Sequence, residues 1–229
     1  MKKRVVILTG AGISAESGIR TFRDSGGLWE EHRIEDVATY DGWIRNPALV
    51  MEFYNERRKQ LFQAEPNAAH KALAGLEEKY DVQIITQNVD DLHERGGSSR
   101  VLHLHGELKK ARSTVDDSLV YDIEGWELKL GDTCEKGSQL RPHIVWFGEA
   151  VPMIEEAADI SARADIFIVI GTSLNVYPAA GLIHYVTASA RKYLIDPNAA
   201  HLPGIPNLTI IREKACTGVP ELVEQLNAL

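Results

Sequence analysis

Four short runs rich in β-branched apolar residues, at 5–9, 82–86, 166–170 and 208–211, constrain this chain more than any other feature. Each is flanked by charged residues or by Gly and Asn, as strands buried on both faces of a parallel sheet should be. Tyr193-Leu194-Ile195, ahead of Asp196-Pro197, adds a fifth candidate. Helical spacing fills the gaps. Asn46-Pro47 reads as an N-cap followed by Pro at the first helical position, after which Leu49, Val50, Phe53, Arg57 and Leu61 recur. Asn67 opens another helix with Leu73, Leu76 and Tyr80 on one side, and from Val219 a third carries Leu222, Val223, Leu226 and Leu229. Strands alternating with helices predict an α/β fold built on a doubly wound, Rossmann-type parallel sheet. The segment 107–141 breaks this rhythm. It is polar, rich in Gly and Asp, and reads as a small irregular or β-rich module inserted in the main unit. One domain is expected over 1–229, its Rossmann-type part at 1–30, 64–106 and 142–229, its small module at about 31–63 and 107–141.

Composition narrows the functional classes. With 25 Lys plus Arg against 33 Asp plus Glu, the formal net charge of -8 disfavours a non-specific grip on nucleic acid. The apolar run after Met1-Lys2-Lys3-Arg4 is far shorter than a signal-peptide core or a membrane span of about 20 residues. A cytoplasmic chain with no nucleic-acid or membrane partner is therefore expected. Two cysteines, Cys134 and Cys216, are too few for a disulfide scaffold or a four-thiolate zinc site.

The densest chemical signal follows the first run. Gly10-Ala11-Gly12-Ile13-Ser14-Ala15 fits G-x-G-x-x-G/A, with Ala15 in the third position. Such glycines permit a tight turn and close backbone approach to a pyrophosphate, with a helix N-terminus supplying aligned N–H dipoles. The alternative is a strand-to-helix turn with no ligand. Glu16-Ser17-Gly18-Ile19-Arg20-Thr21-Phe22-Arg23 reads either as a loop closing over a cofactor or as a solvated surface loop. The second run ends in Thr86-Gln87-Asn88-Val89-Asp90, at a carboxyl edge facing the same crevice as Gly10. Its amides and carboxylate can orient a ribose or an amide ligand, or else cap a helix. In His103-Leu104-His105-Gly106, the small Gly106 leaves room for a ligand beside His105, and an imidazole suits proton transfer near neutral pH. His103 and His105 could otherwise ligate a metal, although no nearby Cys or His completes a site. Gly171-Thr172-Ser173 repeats the small-residue logic at the third strand's end. Val145-Trp146-Phe147-Gly148-Glu149 fits a channel wall or plain core.

Together and in this order, Gly10-Ala11-Gly12-Ile13-Ser14, Gly18-Ile19-Arg20-Thr21-Phe22-Arg23, Thr86-Gln87-Asn88-Val89-Asp90 with His93, His105-Gly106, Leu140-Arg141-Pro142, Trp146-Phe147-Gly148-Glu149 and Gly171-Thr172-Ser173 resemble one family over nearly the whole chain. That family is the sirtuins, NAD-dependent protein lysine deacylases. The resemblance implies that acyl-lysine and NAD meet in a cleft between the main domain and the small module. The acyl oxygen attacks the nicotinamide ribose and nicotinamide leaves. His105 then acts as general base on a ribose hydroxyl, while Asn88 and Asp90 orient the ribose and the nicotinamide amide. The products are free lysine, nicotinamide and 2'-O-acyl-ADP-ribose.

The resemblance places NAD on Gly10, Ala11, Gly12, Ile13, Glu16, Thr21, Phe22, Arg23, Trp29, Gln87, Asn88, Val89, Asp90, Gly171, Thr172, Ser173, Asp196 and Ala215. It places the acyl-lysine protein substrate on Ala38, Tyr54, Arg57, Val145 and Phe147, and a monomer is expected. Tyr54 and Arg57 share a helix face at i, i+3, a hydroxyl and a guanidinium that suit a carboxylate, although an Arg on an amphipathic helix can equally snorkel. With Ala38 they resemble the triplet of the acidic-acyl branch, where a small Ala leaves room for succinyl or malonyl groups.

Two departures from the family pattern stand out. Sirtuins usually hold the module with four zinc-bound cysteines, but Ser113 stands where the first pair would begin and Cys134 alone remains of the second. No metal is expected, and the module is expected to be held by packing around Trp126, Leu128 and Leu130. Asp196 stands where the family usually has Asn near the adenine ribose. Mono-ADP-ribosyl transfer from the same site and a non-catalytic NAD-binding module are the alternative functions.

Overall fold

In the computed structural model, which describes residues 2–19, the backbone of 28–29, and residues 32–172, 174 and 177–228, β1 (Arg4–Thr9) runs through the middle of the main sheet. Its neighbours are β4 (Asp81–Thr86) and β9 (Ile166–Ile170); β5 (Val101–His103) lies beyond β4, and β10 (Arg191–Ile195) and β11 (Leu208–Ile211) lie beyond β9. The order is β11-β10-β9-β1-β4-β5, and every neighbouring pair is parallel. Residues Val5, Val6, Ile7 and Leu8 are fully buried because alternate side chains meet different layers. Val5 and Ile7 pack with Leu73 of α4 (Ala68–Gly75) and with Val219, Leu222 and Leu226 of α7 (Ala215–Asn227). Val6 and Leu8 pack with Ala157 of α6 (Ile154–Ala162) and with Leu182 and Ile183. This is the doubly wound arrangement, with the strand order diverging on the two sides of β1.

The remaining elements form a smaller layer. It contains β2 (Leu28–Trp29) paired with β3 (His32–Arg33), then α1 (Ile34–Val37), α2 (Tyr40–Arg45) and α3 (Pro47–Gln63). A three-stranded antiparallel sheet, β7-β6-β8, joins them, from β6 (Gly106–Ser113), β7 (Val120–Asp122) and β8 (Leu140–Ile144). The helix starts read in the sequence have clear causes. Asn46 Oδ1 accepts the Leu49 N–H at 3.1 Å with Pro47 at the first helical position. Asn67 Oδ1 accepts from Ala69, and the His70 ring accepts the Asn67 N–H in return, closing a reciprocal cap.

Three local expectations need correction. The turn after β1 is two successive 3-10 turns, Ala11–Ile13 and Ala15–Ser17, rather than an α-helix N-terminus. Gly10, Gly12 and two serines favour neither the entropy nor the local hydrogen bonding of an α-helix. The C-terminal helix begins at Ala215, one turn before Val219, because Ala215 is buried and the Glu16 carboxylate accepts the Cys216 N–H at 3.0 Å. Of the three residues expected to hold the module, Leu128 packs inward, in one apolar cluster with Leu108 and Ala111, whereas Trp126 and Leu130 are 38% and 50% exposed.

Polar contacts from α3 add to this apolar packing, in which Val50, Met51, Phe53 and Leu61 share a cluster with Leu108, Ala111 and Leu128. Asn55 accepts the Leu128 N–H and donates to the Leu128 carbonyl, both at 3.0 Å. The fully buried Arg58 donates to the Leu108 and Trp126 carbonyls, each at 2.6 Å, and to Asn55 Oδ1 at 2.7 Å. Burial lowers its pKa to about 10, which leaves it charged at neutral pH. Further out, the Gln139 side chain accepts from Gly131 and reaches the carbonyls of Lys129, Asp132 and Leu140. Asn55→Ala is expected to cost about 2 kcal/mol by stranding buried Leu128 groups, which is about 4–8 °C in Tm. An unchanged calorimetric Tm would show that Asn55 does not hold the module.

The donor set at the family's zinc position does not suit that metal. Cys134 Sγ donates to Ser113 Oγ at 3.4 Å, and Ser113 Oγ also accepts from the Val115 and Asp116 N–H groups. One thiol and one engaged hydroxyl fall short of four tetrahedral ligands. Among the described residues, no group of three or more His, Cys, Asp and Glu is placed to hold a metal.

Candidate active site

The crevice opens where the carboxyl ends of β1 and β9 part. Gly10 donates to the Ile170 carbonyl at 3.0 Å, and Gly12 donates to the Gly171 carbonyl at 2.9 Å. The two turns interlock so closely that a Cβ on Gly10 would lie 2.7 Å from Thr172 Cβ, and one on Gly12 would lie 2.6 Å from Gly171 Cα. Gly171 itself has φ +62. Only glycine satisfies all three positions, so anything bound here meets backbone rather than side chains. Ala11 and the buried Ile13 lie in the first 3-10 turn, and Glu16 lies in the second.

The carboxyl end of β4 supplies a polar wall. Asn88 Nδ2 donates to Ser14 Oγ at 3.1 Å, and Ser14 Oγ donates to Asp90 Oδ2 at 3.0 Å. All three residues are buried. Burial pushes the Asp90 carboxyl above the usual range, against the Leu92 N–H and the Ser14 hydroxyl, which favour its charged form. Asp90 also caps a turn, since Leu92 N–H reaches Oδ1 at 3.2 Å ahead of α5 (Leu92–Arg95). The ligand and capping readings of this residue are therefore compatible. A second layer lies beneath. Thr86 Oγ1 accepts from the Asn88 N–H and from Thr9 Oγ1, at 3.0 and 2.8 Å. His93 Nε2 lies 3.0 Å from Thr9 Oγ1, and because the Thr9 proton goes to Thr86, this nitrogen is the donor. Ser14, Thr9, Thr86 and His93 were not singled out from the sequence as site residues.

His93 packs edge-on against His70, ring centroids 4.9 Å apart, and both are fully buried. Burial brings the His70 pKa down to about 4 and holds His93 well below the usual range, His70 and His103 adding to the second shift. Both rings are neutral when folded, so the unfolded chain binds more protons below about pH 6.5. Stability is expected to fall from there toward pH 4 with a slope of about 1.4 kcal/mol per pH unit for each ring. Asp90 and His103, shifted upward, oppose this, while His105 and His143, shifted downward by burial, add to it. Urea midpoints that agree near pH 7 and pH 5 would contradict the neutral pair.

His105 stands at the mouth of this wall. Its Nδ1 is 3.0 Å from the Gln87 carbonyl oxygen, which can only accept, so Nδ1 carries the proton and Nε2 keeps a basic lone pair. Burial lowers its pKa, with the Gln87 carbonyl opposing, and the ring is neutral near pH 7. Gln87 N–H in turn donates to the Thr9 carbonyl at 2.9 Å, and the Val89 carbonyl accepts from Leu108. Gly106 is required by the fold itself, whatever room it leaves beside His105. With φ +83, a Cβ there would run into the His143 carbonyl oxygen, so glycine serves the β6–β8 contact. His103 is tied down between the Asn88 carbonyl and the Glu94 carboxylate. Burial alone would lower its pKa, but Glu94 overrides it and the net shift is upward.

The third group clusters on the module side. The Val145 N–H donates to the His105 carbonyl at 2.9 Å, and the Phe147 N–H donates to the Ala38 carbonyl at 3.0 Å. Val145 is half-buried, Phe147 is exposed and Ala38 is buried. Tyr54 and Arg57, on one face of α3, are 0% and 8% exposed, and the Arg57 guanidinium carbon lies 5.7 Å from the Phe53 ring centroid. Trp146 Nε1 donates to Tyr54 Oη at 3.0 Å. Burial pushes the Tyr54 hydroxyl up to about 12, with the Arg57 charge opposing, so it stays protonated.

The other residues expected to hold the cofactor lie around the crevice. Asp196 is buried at the end of β10 and accepts the Asn198 N–H, Ala215 opens α7, and Thr172 follows Gly171. Trp29 lies in β2, and its side chain falls outside the description. Thr21, Phe22, Arg23 and Ser173 also lie outside the described residues.

A glycine-lined crevice at the carboxyl edge of a doubly wound sheet, walled by a buried amide and carboxylate, is the architecture of a Rossmann-type protein. The Sir2 family model matches residues 10–178, and the chain belongs to the Sir2 family. A relative from Bacteroides thetaiotaomicron, named NAD-dependent protein deacylase, is 55% identical over 229 residues and covers 98% of each chain. One from Helicobacter pylori with the same name is 58% identical over 226 residues, covering 98% of this chain and 97% of its own. A solved mutant Sir2 homologue in complex with ADP-ribose matches with TM-score 0.90 at 41% identity, covering 99% of this chain and 93% of that one. A Sir2 homologue–NAD complex gives 0.89 at 40%, covering 99% and 90%. No helix among the described residues is long and apolar enough to cross a membrane.

Proposed function

We propose that this chain is an NAD-dependent protein lysine deacylase that favours succinyl- and malonyl-lysine, with acetyl-lysine as a second substrate. NAD is the cofactor. The crevice suits it: three glycines let backbone approach a pyrophosphate, and buried Asn88, Ser14 and Asp90 match ribose hydroxyls and a carboxamide. Bound NAD supplies an activated bond to nicotinamide and a ribose hydroxyl that carries the acyl group away. The chain does the rest. His105 Nε2 takes a proton from the ribose hydroxyl while the Gln87 carbonyl holds the opposite nitrogen protonated. Asn88 and Asp90 orient the ribose and carboxamide, linked through Ser14. Ala38, Val145 and Phe147 line the acyl-lysine, in a cleft between the main part (1–30, 64–106, 142–229) and the module (31–63, 107–141).

One observation supports the acidic preference. Tyr54, with its protonated hydroxyl, lies in the apolar cluster that contains Ala38, and the buried Arg57 guanidinium lies on the same helix face beside Phe53 of that cluster. A buried cation beside a donor suits a carboxylate better than an acetyl methyl. The test is a panel of acetyl-, malonyl- and succinyl-lysine peptides with NAD, read by nicotinamide release and product mass spectrometry. Faster turnover of succinyl and malonyl peptides, with acyl-ADP-ribose as product, is expected. A higher rate on acetyl-lysine would remove the acidic preference. A stable ADP-ribosylated protein as sole product would replace deacylation by ADP-ribosyl transfer.

A further inference from the structure

We propose that Trp146 is a specificity-determining positioning residue: its indole N–H occupies the acceptor side of the Tyr54 hydroxyl and so directs the phenolic proton toward the carboxylate of an acidic acyl group. This role rests on the acidic-acyl reading above.

The argument begins with donor and acceptor inventory. An indole N–H can only donate, so the 3.0 Å contact from Trp146 Nε1 leaves Tyr54 Oη no choice but to accept. A hydroxyl partner could reverse its role; an indole cannot. The Tyr54 proton is thereby left for a second partner. Tyr54 is fully buried, where an unused donor is costly, and Arg57, the cation that acts on it most strongly, cannot accept. An arriving carboxylate supplies the missing acceptor and meets Arg57 on the same helix face.

Trp146 is held rigidly enough to impose this orientation. It is 2% exposed, and its backbone N–H donates to Glu149 Oε2 at 2.8 Å. Arg141 grips both Glu149 oxygens, at 2.7 and 3.0 Å, and donates to the Ile144 carbonyl. The Arg141 guanidinium carbon lies 3.4 Å from the indole centroid, and the Trp43 ring packs at 5.9 Å. A cation on the indole face draws electron density from the ring, making its N–H a stronger donor. The charge held by Glu149 thus bears on the orientation of a hydroxyl on another element.

The test is Trp146→Phe, which keeps an aromatic ring and deletes the N–H, assayed with succinyl- and acetyl-lysine peptides beside Tyr54→Phe and the double variant. A second substitution, benzothienylalanine at position 146, keeps the bicyclic shape without the N–H and serves if Trp146→Phe fails to fold. The succinyl-to-acetyl ratio of kcat/KM is expected to fall about tenfold, mainly through KM for the succinyl peptide. Because Trp146 acts through Tyr54, adding Trp146→Phe to Tyr54→Phe should lower the ratio no further. Equal losses on both peptides, no change in the ratio, or additive effects in the double variant would overturn the proposal. If Arg57→Met shifts the ratio while Trp146 variants do not, only the role of Trp146 falls. A ratio that neither Arg57→Met nor the Trp146 variants move removes the acidic-acyl reading as well.

Discussion

His105→Ala is expected to lower kcat/KM by about 10²- to 10⁴-fold on every acyl-lysine peptide, the usual loss when a positioned general base is removed. The geometry makes the effect specific. With Nδ1 donating to the Gln87 carbonyl, the basic nitrogen is fixed as Nε2. His103 is engaged on both nitrogens and His93 lies beneath the threonine layer. Burial lowers the His105 pKa, so the acidic limb of the wild-type profile should lie below the ordinary imidazole value of about 6.5. That limb should vanish in the variant, with ADP-ribose binding retained. A loss under about threefold, or an unaltered acidic limb, would take His105 out of the chemistry.

Arg57→Met is expected to reduce succinyl-lysine turnover by about tenfold to 150-fold relative to acetyl-lysine, from about 1.5–3 kcal/mol for a hydrogen bond to a charged group. Met retains much of the volume beside Phe53 and Tyr54, so packing changes less than charge does. KM should carry most of the effect, because the guanidinium binds the acyl carboxylate in both ground and transition states. Equal loss on succinyl and acetyl peptides would mean that Arg57 supports the fold rather than the substrate.

The parallel strands were legible because burial on both faces writes itself as unbroken apolar runs, and Asn46-Pro47 and Asn67 marked helix starts through capping chemistry. β5 was not, since three half-buried residues at an edge, one of them His103, show no such run. Leu128 packs inward as expected, but an irregular segment has no period to separate it from the exposed Trp126 and Leu130. At the site, Gly10, Gly12, Asn88, Asp90 and His105 could be marked by motif and strand edge. The contacts that orient them could not. Thr9 meets Thr86 across 77 residues, His93 meets Thr9 across 84, and Trp146 meets Tyr54 across 92, and no local spacing encodes a pairing made by tertiary packing.

The grip of α3 on the module is made of an amide, a guanidinium and peptide carbonyls, through Asn55 and Arg58. None of these groups is oxidised by peroxide, whereas a thiolate is readily carried to sulfenic acid and beyond. The polar joint between the two stretches of the module, 31–63 and 107–141, is therefore made without a thiolate, at the point where a cysteine-held module would be open to oxidation.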